Sequence, residues 1–149
     1  MLQTVPEAIH QAAHEALEEG AQELVDLMRS LAPMESGALR DSIGWTWGDP
    51  PDGSIALDDL EAPQGLTERI IIYAGSKEAF YARWVEFGTQ AHSIATGADI
   101  SVKKNGGNQG GAMHPGAVAH PFFFPAYRAL KARIRARIAR KIKKAVEAL

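Results

Sequence analysis

Histidine and carboxylate are the side chains best placed to do chemistry in this chain, because its 149 residues include no cysteine. A thiolate nucleophile, a thiolate metal site and a disulfide framework are thereby excluded. His92, His114 and His120 could, together with Glu86, offer imidazole and carboxylate ligands to zinc or another divalent ion. Their spacing matches no ligand signature, and His114 and His120 each precede a proline in loop-like sequence, so no metal is expected. His10 and His14 stand four apart, as helical metal ligands do, but the string is HQAAH and lacks the glutamate of a metalloprotease HExxH. No glycine-rich phosphate loop followed by lysine, no nucleophile elbow and no suggestively spaced carboxylate pair is present. An enzyme and a bound cofactor are therefore not expected. Glu86 stands among large apolar residues and is expected to be partly buried and paired with an arginine such as Arg83 or Arg128, rather than to act as a general acid.

What remains is two dense aromatic blocks, FYARWVEFGT over 80–89 and HPFFFPAYR over 120–128. Phe80, Tyr81, Trp84 and Phe122 to Phe124 fit core or interface anchors better than a ligand pocket. Trp84, Glu86, Phe87, His114, Pro121, Phe122, Phe123 and Pro125 are the candidate assembly residues.

The elements that must position these blocks follow from periodicity. Thr4 and Glu7 make a T-x-x-E capping box ahead of an apolar stripe through Ile9, Ala13, Leu17, Leu24, Met28 and Leu31, which predicts a helix over about 5–31 ended by Pro33. Gly20 weakens that helix by roughly 1 kcal/mol relative to alanine and marks a place for a kink. Residues 36–42 allow one more helical turn. Ile43, Trp45 and Trp47 alternate with small residues, the turn-rich GDPPDG follows at 48–53, and SIALD alternates again, which predicts a hairpin. The run Ile70, Ile71, Ile72, Tyr73 predicts a central strand covered on both faces. Ser76 is positioned to cap a short helix carrying Phe80, Tyr81, Trp84 and Val85, ended by Gly88. Residues 89–119 read as a long flexible loop, with NGGNQGG at 105–111 and a possible short strand ISVKK before it. A last helix starts at Pro121 or Pro125, with Tyr127, Leu130, Ile134, Ile138, Ile142, Val146 and Leu149 on one stripe. The expected fold is α+β in one domain spanning 1–149: a three- or four-stranded antiparallel sheet packed by long first and last helices, with a short helix between them.

Net charge is −2, yet residues 1–70 hold 14 of the 18 acidic residues and residues 121–149 hold 9 of the 16 basic ones. Such polarity fits two parts of the fold, or two neighbouring subunits, facing each other with opposite sign. The alternative is a nucleic-acid-binding module on the basic last helix, with Arg133, Arg137, Arg140 and Lys144 as possible DNA- or partner-facing groups. No helix-turn-helix, zinc or aromatic-platform signature accompanies it. No signal segment or apolar membrane span is evident, so a soluble, unexported protein without membrane contact is expected.

The chain resembles the tail-component family of long-tailed bacteriophages. The resemblance rests on LAPMESGALRDSI at 31–43, YARWVEFGT at 81–89, HPGAVAHPFFFPAYRAL at 114–130 and the long last helix, in that order. The 89–114 segment is longer and the last helix more basic than the family's common pattern. The resemblance implies a virion protein of the head–tail junction, a neck, tail-completion or tail-terminator component assembled in the bacterial host cytoplasm. It also implies a homo-oligomeric, hexameric ring, with the tail tube protein and a head-completion or connector protein as partners and genomic DNA passing transiently through the lumen.

Overall fold

A computed structural model describes residues 5–33, 37–57, 60, 62, 66–89, 92–93, 113–114, 116 and 118–149. Helix α1 runs over Glu7–Leu31. Pro6 is its N-cap, and the Pro6 carbonyl takes the amides of Ile9 and His10. Glu7 is thus the first helical residue rather than the third. The capping box is corrected to that extent, because the fixed φ of Pro6 starts the helix where Glu7 cannot reach back as a box glutamate; Thr4 lies outside the described residues.

The helix runs unbroken through Gly20. A Cβ at Gly20 would lie 2.5 Å from Ile134 Cγ2, so the missing side chain lets a second helix close in. That second helix is α4, Phe123–Glu147.

Helix α2, Gly37–Asp41, is the expected extra turn and buries Leu39. Strands β1 (Gly44–Thr46), β2 (Ile55–Leu57) and β3 (Ile71–Ala74) form an antiparallel sheet in the order β1-β3-β2. The predicted β1–β2 hairpin is therefore corrected: the two strands flank β3 and do not pair. Gly44 stands opposite Tyr73 and Ala56 opposite Tyr73 from the other side. The expected reversal at 48–53 is corrected with it: β1 and β2 both run antiparallel to β3 and so parallel to each other, the segment, with Gly53 at φ 81, carrying the chain to a second start on the far side of β3. The two flanking strands are three residues each, and the more apolar β3 gains a ladder on both sides by inserting between them. Ile70, Ile72 and Ala74 are fully buried while Ile71 and Tyr73 are half-buried, so β3 is central but fully covered on one face only.

After β3, Ser76 Oγ accepts the Ala79 amide at 3.0 Å and caps a turn that leads into α3, Ala82–Phe87. Gly88, at φ 73, ends α3 with its amide on the Trp84 carbonyl at 2.7 Å. Strands β4 (His92–Ser93) and β5 (Met113–His114) pair antiparallel. The expected ISVKK strand and the 105–111 glycine run lie outside the described residues.

Helix α4, Phe123–Glu147, lies antiparallel to α1, since Glu19 meets Lys141 while Glu23 meets Arg133 and Arg137. Leu17, Leu24 and Met28 of α1, Ile134 and Ile138 of α4, Ile70 and Ile72, and Phe122 and Phe123 share one buried core. Polar ties add to this packing: Arg29 of α1 donates to the Ile43 carbonyl at 2.8 Å, and His10 pairs with Glu68 just before β3. Among the described residues no helix is long and apolar enough to cross a membrane.

Candidate assembly surface

Glu86 joins the two aromatic blocks. It is 4% exposed, the buried charged residue among the described residues, and its carboxylate lies against the start of α4. Oε2 accepts the amides of Phe122 and Phe123, each at 2.8 Å, and Oε1 accepts the amide of Phe124 at 2.9 Å. A helix start leaves its first amides without intrahelical acceptors. Phe122 is the N-cap and supplies no side-chain acceptor, and the next position after Phe124 is Pro125, which has no N–H to satisfy. One carboxylate from α3 therefore completes the opening turn of α4 and adds negative charge where the helix dipole favours it. The arginine partner expected for Glu86 is corrected: backbone amides, 36 to 38 residues away in sequence, hold it. The His120 amide adds a bond to the Val85 carbonyl at 2.8 Å.

This lock presents an apolar ridge to solvent. Phe80, Trp84 and Phe87 are 53%, 49% and 61% exposed. Trp84 and Phe87 stand three apart on α3, Phe80 in the turn before it is tied to Trp84, and Phe87 is tied to the lock. Phe80 meets Trp84 edge-on at 5.3 Å, and Phe87 lies on Phe124 at 5.8 Å. Three half-exposed aromatic side chains leave roughly 300 Å2 of apolar surface in water, the size at which a patch on a monomer is often functional.

Both oxygens of Glu86 are occupied by amides, which removes the carboxylate from the proposed His92, His114 and His120 set; among the described residues no three His, Asp or Glu side chains converge as metal ligands. His10, His14 and Glu68 line an open cleft of about 540 Å3 with Glu7 and Gln11. There His10 is held by Glu68, and His14 stacks on Trp47 at 4.1 Å with Nε2 3.3 Å from Glu18, which in turn accepts the Trp47 indole N–H at 3.1 Å. Burial pushes the Glu68 carboxyl up, but the hydrogen bond from His10, with backbone donors and the His10 charge, outweighs it and holds the group below its ordinary value.

Residues 1–88 match a family model described as "Bacteriophage HK97-gp10, putative tail-component". The chain belongs to this phage tail-component family. No curated protein and no solved structure matches it. The matched stretch takes in α1, α2, the sheet and α3, and closes at the glycine that ends α3. Membership gives the chain a structural role in the phage virion.

In this tail component the other candidate residues fall in three places. Phe122 and Phe123 are fully buried core, Pro121 is exposed and Pro125 half-buried. His114 is in β5, its backbone opposite His92. Of the basic candidates, Arg133 and Arg137 both reach Glu23, at 2.5 and 2.6 Å, and Lys141 reaches Glu19 at 2.5 Å. Arg140 and Lys144 are exposed and make no ion pair among the described residues. The opposite charges of the two sequence halves thus meet inside one chain along the α1–α4 seam. Phe80 belongs to the ridge but not to the candidate set drawn from sequence; the 80, 84, 87 spacing was the signal that could have included it.

Proposed function

We propose that this tail component closes into a homo-oligomeric ring at the head–tail junction, six copies around a passage for the genome, between the tail tube protein and a head-completion or connector protein. The observation that carries the reading is the Phe80, Trp84, Phe87 ridge, apolar and held in place by a buried carboxylate rather than left to a loose loop. A surface so costly to expose and so firmly fixed suits a permanent contact. The described sheet adds two edges, β1 and β2, which neighbouring copies are able to cover. Sixfold symmetry comes from the family resemblance and from the symmetry of a tail tube. The ring is tested by mass photometry of the purified chain at micromolar concentration, alone and with tail tube protein. A closed species of about six copies is expected; monomer alone under both conditions overturns the reading.

A further inference from the structure

Beyond the α1–α4 seam, unpaired charge of opposite sign sits on two other faces, each built around aromatic rings. On α3, Arg83 stands beside Trp84 and four residues before Phe87, so helical spacing sets it on the ridge side. Arg128 follows Phe124, on which Phe87 rests, by the same four residues of α4. Both arginines are exposed and make no ion pair among the described residues, while the Glu86 carboxylate beneath the ridge is buried and committed to amides. The other face lies along α1 and β1. There Trp45 and Trp47, half-buried with rings 6.3 Å apart, donate to Gln22 and Glu18. Glu18 and Gln22 stand one residue, about 100°, round α1 from Glu19 and Glu23, which meet α4. Glu15 and Asp26 are exposed on this flank, in line with Gln22 by helical spacing, and make no ion pair among the described residues; Arg29 is turned inward to the Ile43 carbonyl. We propose that neighbouring copies meet through these two faces, the Trp45–Trp47 face of one copy, with Glu15 and Asp26, seating on the Phe80–Trp84–Phe87 ridge of the next, with Arg83 and Arg128. This rests on the ring reading above and names the two surfaces that meet.

Charge complementarity selects this occupant. A guanidinium suits a carboxylate and the face of an indole alike, and β1 is an outer strand, so its tryptophans stand at a margin of the sheet that a neighbour can reach. The ridge meeting its own copy would instead set Arg83 and Arg128 against themselves and close as a dimer, whereas two different surfaces make the heterologous contact that generates rings. The area is adequate. A contact of standard size buries about 600–1,000 Å2 on each partner, of which somewhat more than half, roughly 350–550 Å2, is apolar. The ridge supplies roughly 300 Å2. Val118, 81% exposed and two residues from His120, whose amide bonds the Val85 carbonyl of α3, adds about 50–100 Å2 and brings the face into that range. Leu31 at the end of α1, and Val146 and Leu149 near the end of α4, are also exposed; apolar side chains scattered at helix ends call for no partner.

Charge reversal on the full chain reads this contact directly. Arg83→Glu with Arg128→Glu turns the ridge face acidic, and Glu15→Lys with Asp26→Lys turns the tryptophan face basic. All four positions are exposed, so both proteins are expected to keep the far-UV circular dichroism and melting temperature of the parent. Each variant alone sets like charge against like and is expected to need more than about tenfold the parent's concentration to assemble. Mixed in equal amounts, the two are expected to form rings at the parent's concentration, because in alternating copies reversed face meets reversed face and native meets native. Mass photometry counts the rings, and a mass tag on one variant reads its share. Reversed variants that assemble alone as readily as the parent, or a folded pair that stays monomeric when mixed, would overturn this contact and leave the ring standing. A parent chain that stays monomeric with tail tube protein present overturns the ring reading and this contact with it.

Discussion

At the scale of single residues, the fold depends on two positions whose chemistry is not what their neighbours suggest. Glu86 holds three amides at 2.8 to 2.9 Å in the buried first turn of α4. Glu86→Ala leaves all three without an acceptor, and since each buried orphan or lost charged bond costs on the order of 1–3 kcal/mol, a loss of about 3 kcal/mol or more is expected. That corresponds to a melting temperature lower by roughly 6–12 °C for a chain of this size, read by circular dichroism. Glu86→Gln keeps the shape but turns an NH2 toward an amide, so it is expected to recover only a minor part. A Glu86→Ala melt within 1 °C of the parent, a change of under about 0.5 kcal/mol, would remove the carboxylate from this role. Gly20 is the second position. On an isolated helix Gly20→Ala would stabilise by about 1 kcal/mol, but here the new Cβ lies 2.5 Å from Ile134 Cγ2, and overpacking of this kind costs about 1–3 kcal/mol. The substitution is expected to be net destabilising in the parent and neutral or stabilising in an Ile134→Ala background. Denaturant melts of the four proteins in that cycle measure the coupling.

At the scale of elements, the two long helices were legible because a stripe at 3.6-residue spacing needs no partner to be recognised: Leu17, Leu24 and Met28, and Ile134 and Ile138, are buried where the stripe puts them. Val146 and Leu149 continue the same stripe into solvent, since periodicity does not say where the opposing surface ends. Strand pairing was less legible. The turn-rich run at 48–53 reads as a reversal, yet β1 and β2 run parallel, and nothing local announces that β3, some fifteen residues on, will insert antiparallel between them. The Glu86 lock escaped for the same reason: its acceptors and donors are adjacent only in space. The tie between α1 and the approach to β3 is a third such case and is open to a pH test. Glu68 is held below its ordinary 4.5 despite the opposing effect of burial. A depressed carboxyl binds fewer protons folded than unfolded, so its contribution is complete above about pH 4.5 and is lost as pH falls through the lower folded value. His10→Ala removes the hydrogen bond that lowers it and leaves burial less opposed. The variant is therefore expected to melt below the parent at neutral pH, with the difference shrinking as pH falls below about 4.5 and Glu68 protonates in both proteins. Melts that coincide at neutral pH, or a difference that does not shrink in acid, would show that the pair does not couple α1 to β3.

At the scale of the whole molecule, the distribution of charge bears on whether α4 is a nucleic-acid surface. The last 29 residues look like a phosphate-binding helix in sequence, with nine cations. In the fold Arg133 and Arg137 share Glu23, Lys141 meets Glu19, Lys143 meets Glu147 and Lys131 lies over the Tyr127 ring. Such exposed pairs add little stability, on the order of 0–1 kcal/mol each, but each carboxylate beside a cation cancels the field that would draw a phosphate. Duplex affinity depends on the number of phosphates neutralised, with a slope of log affinity against log salt near −0.9 for each. The isolated chain is therefore expected to bind duplex DNA more weakly than micromolar at about 0.15 M salt, with a slope no steeper than about −3. A conduit that lets a genome slide needs that weakness. Fluorescence anisotropy across a salt series measures it, and Glu19→Gln with Glu23→Gln supplies the contrast: freeing the seam cations should steepen the slope by about two to three if the α1 carboxylates are what hold them back. Submicromolar binding by the parent chain with a slope of −5 or steeper would instead make α4 a nucleic-acid surface and the ring reading secondary.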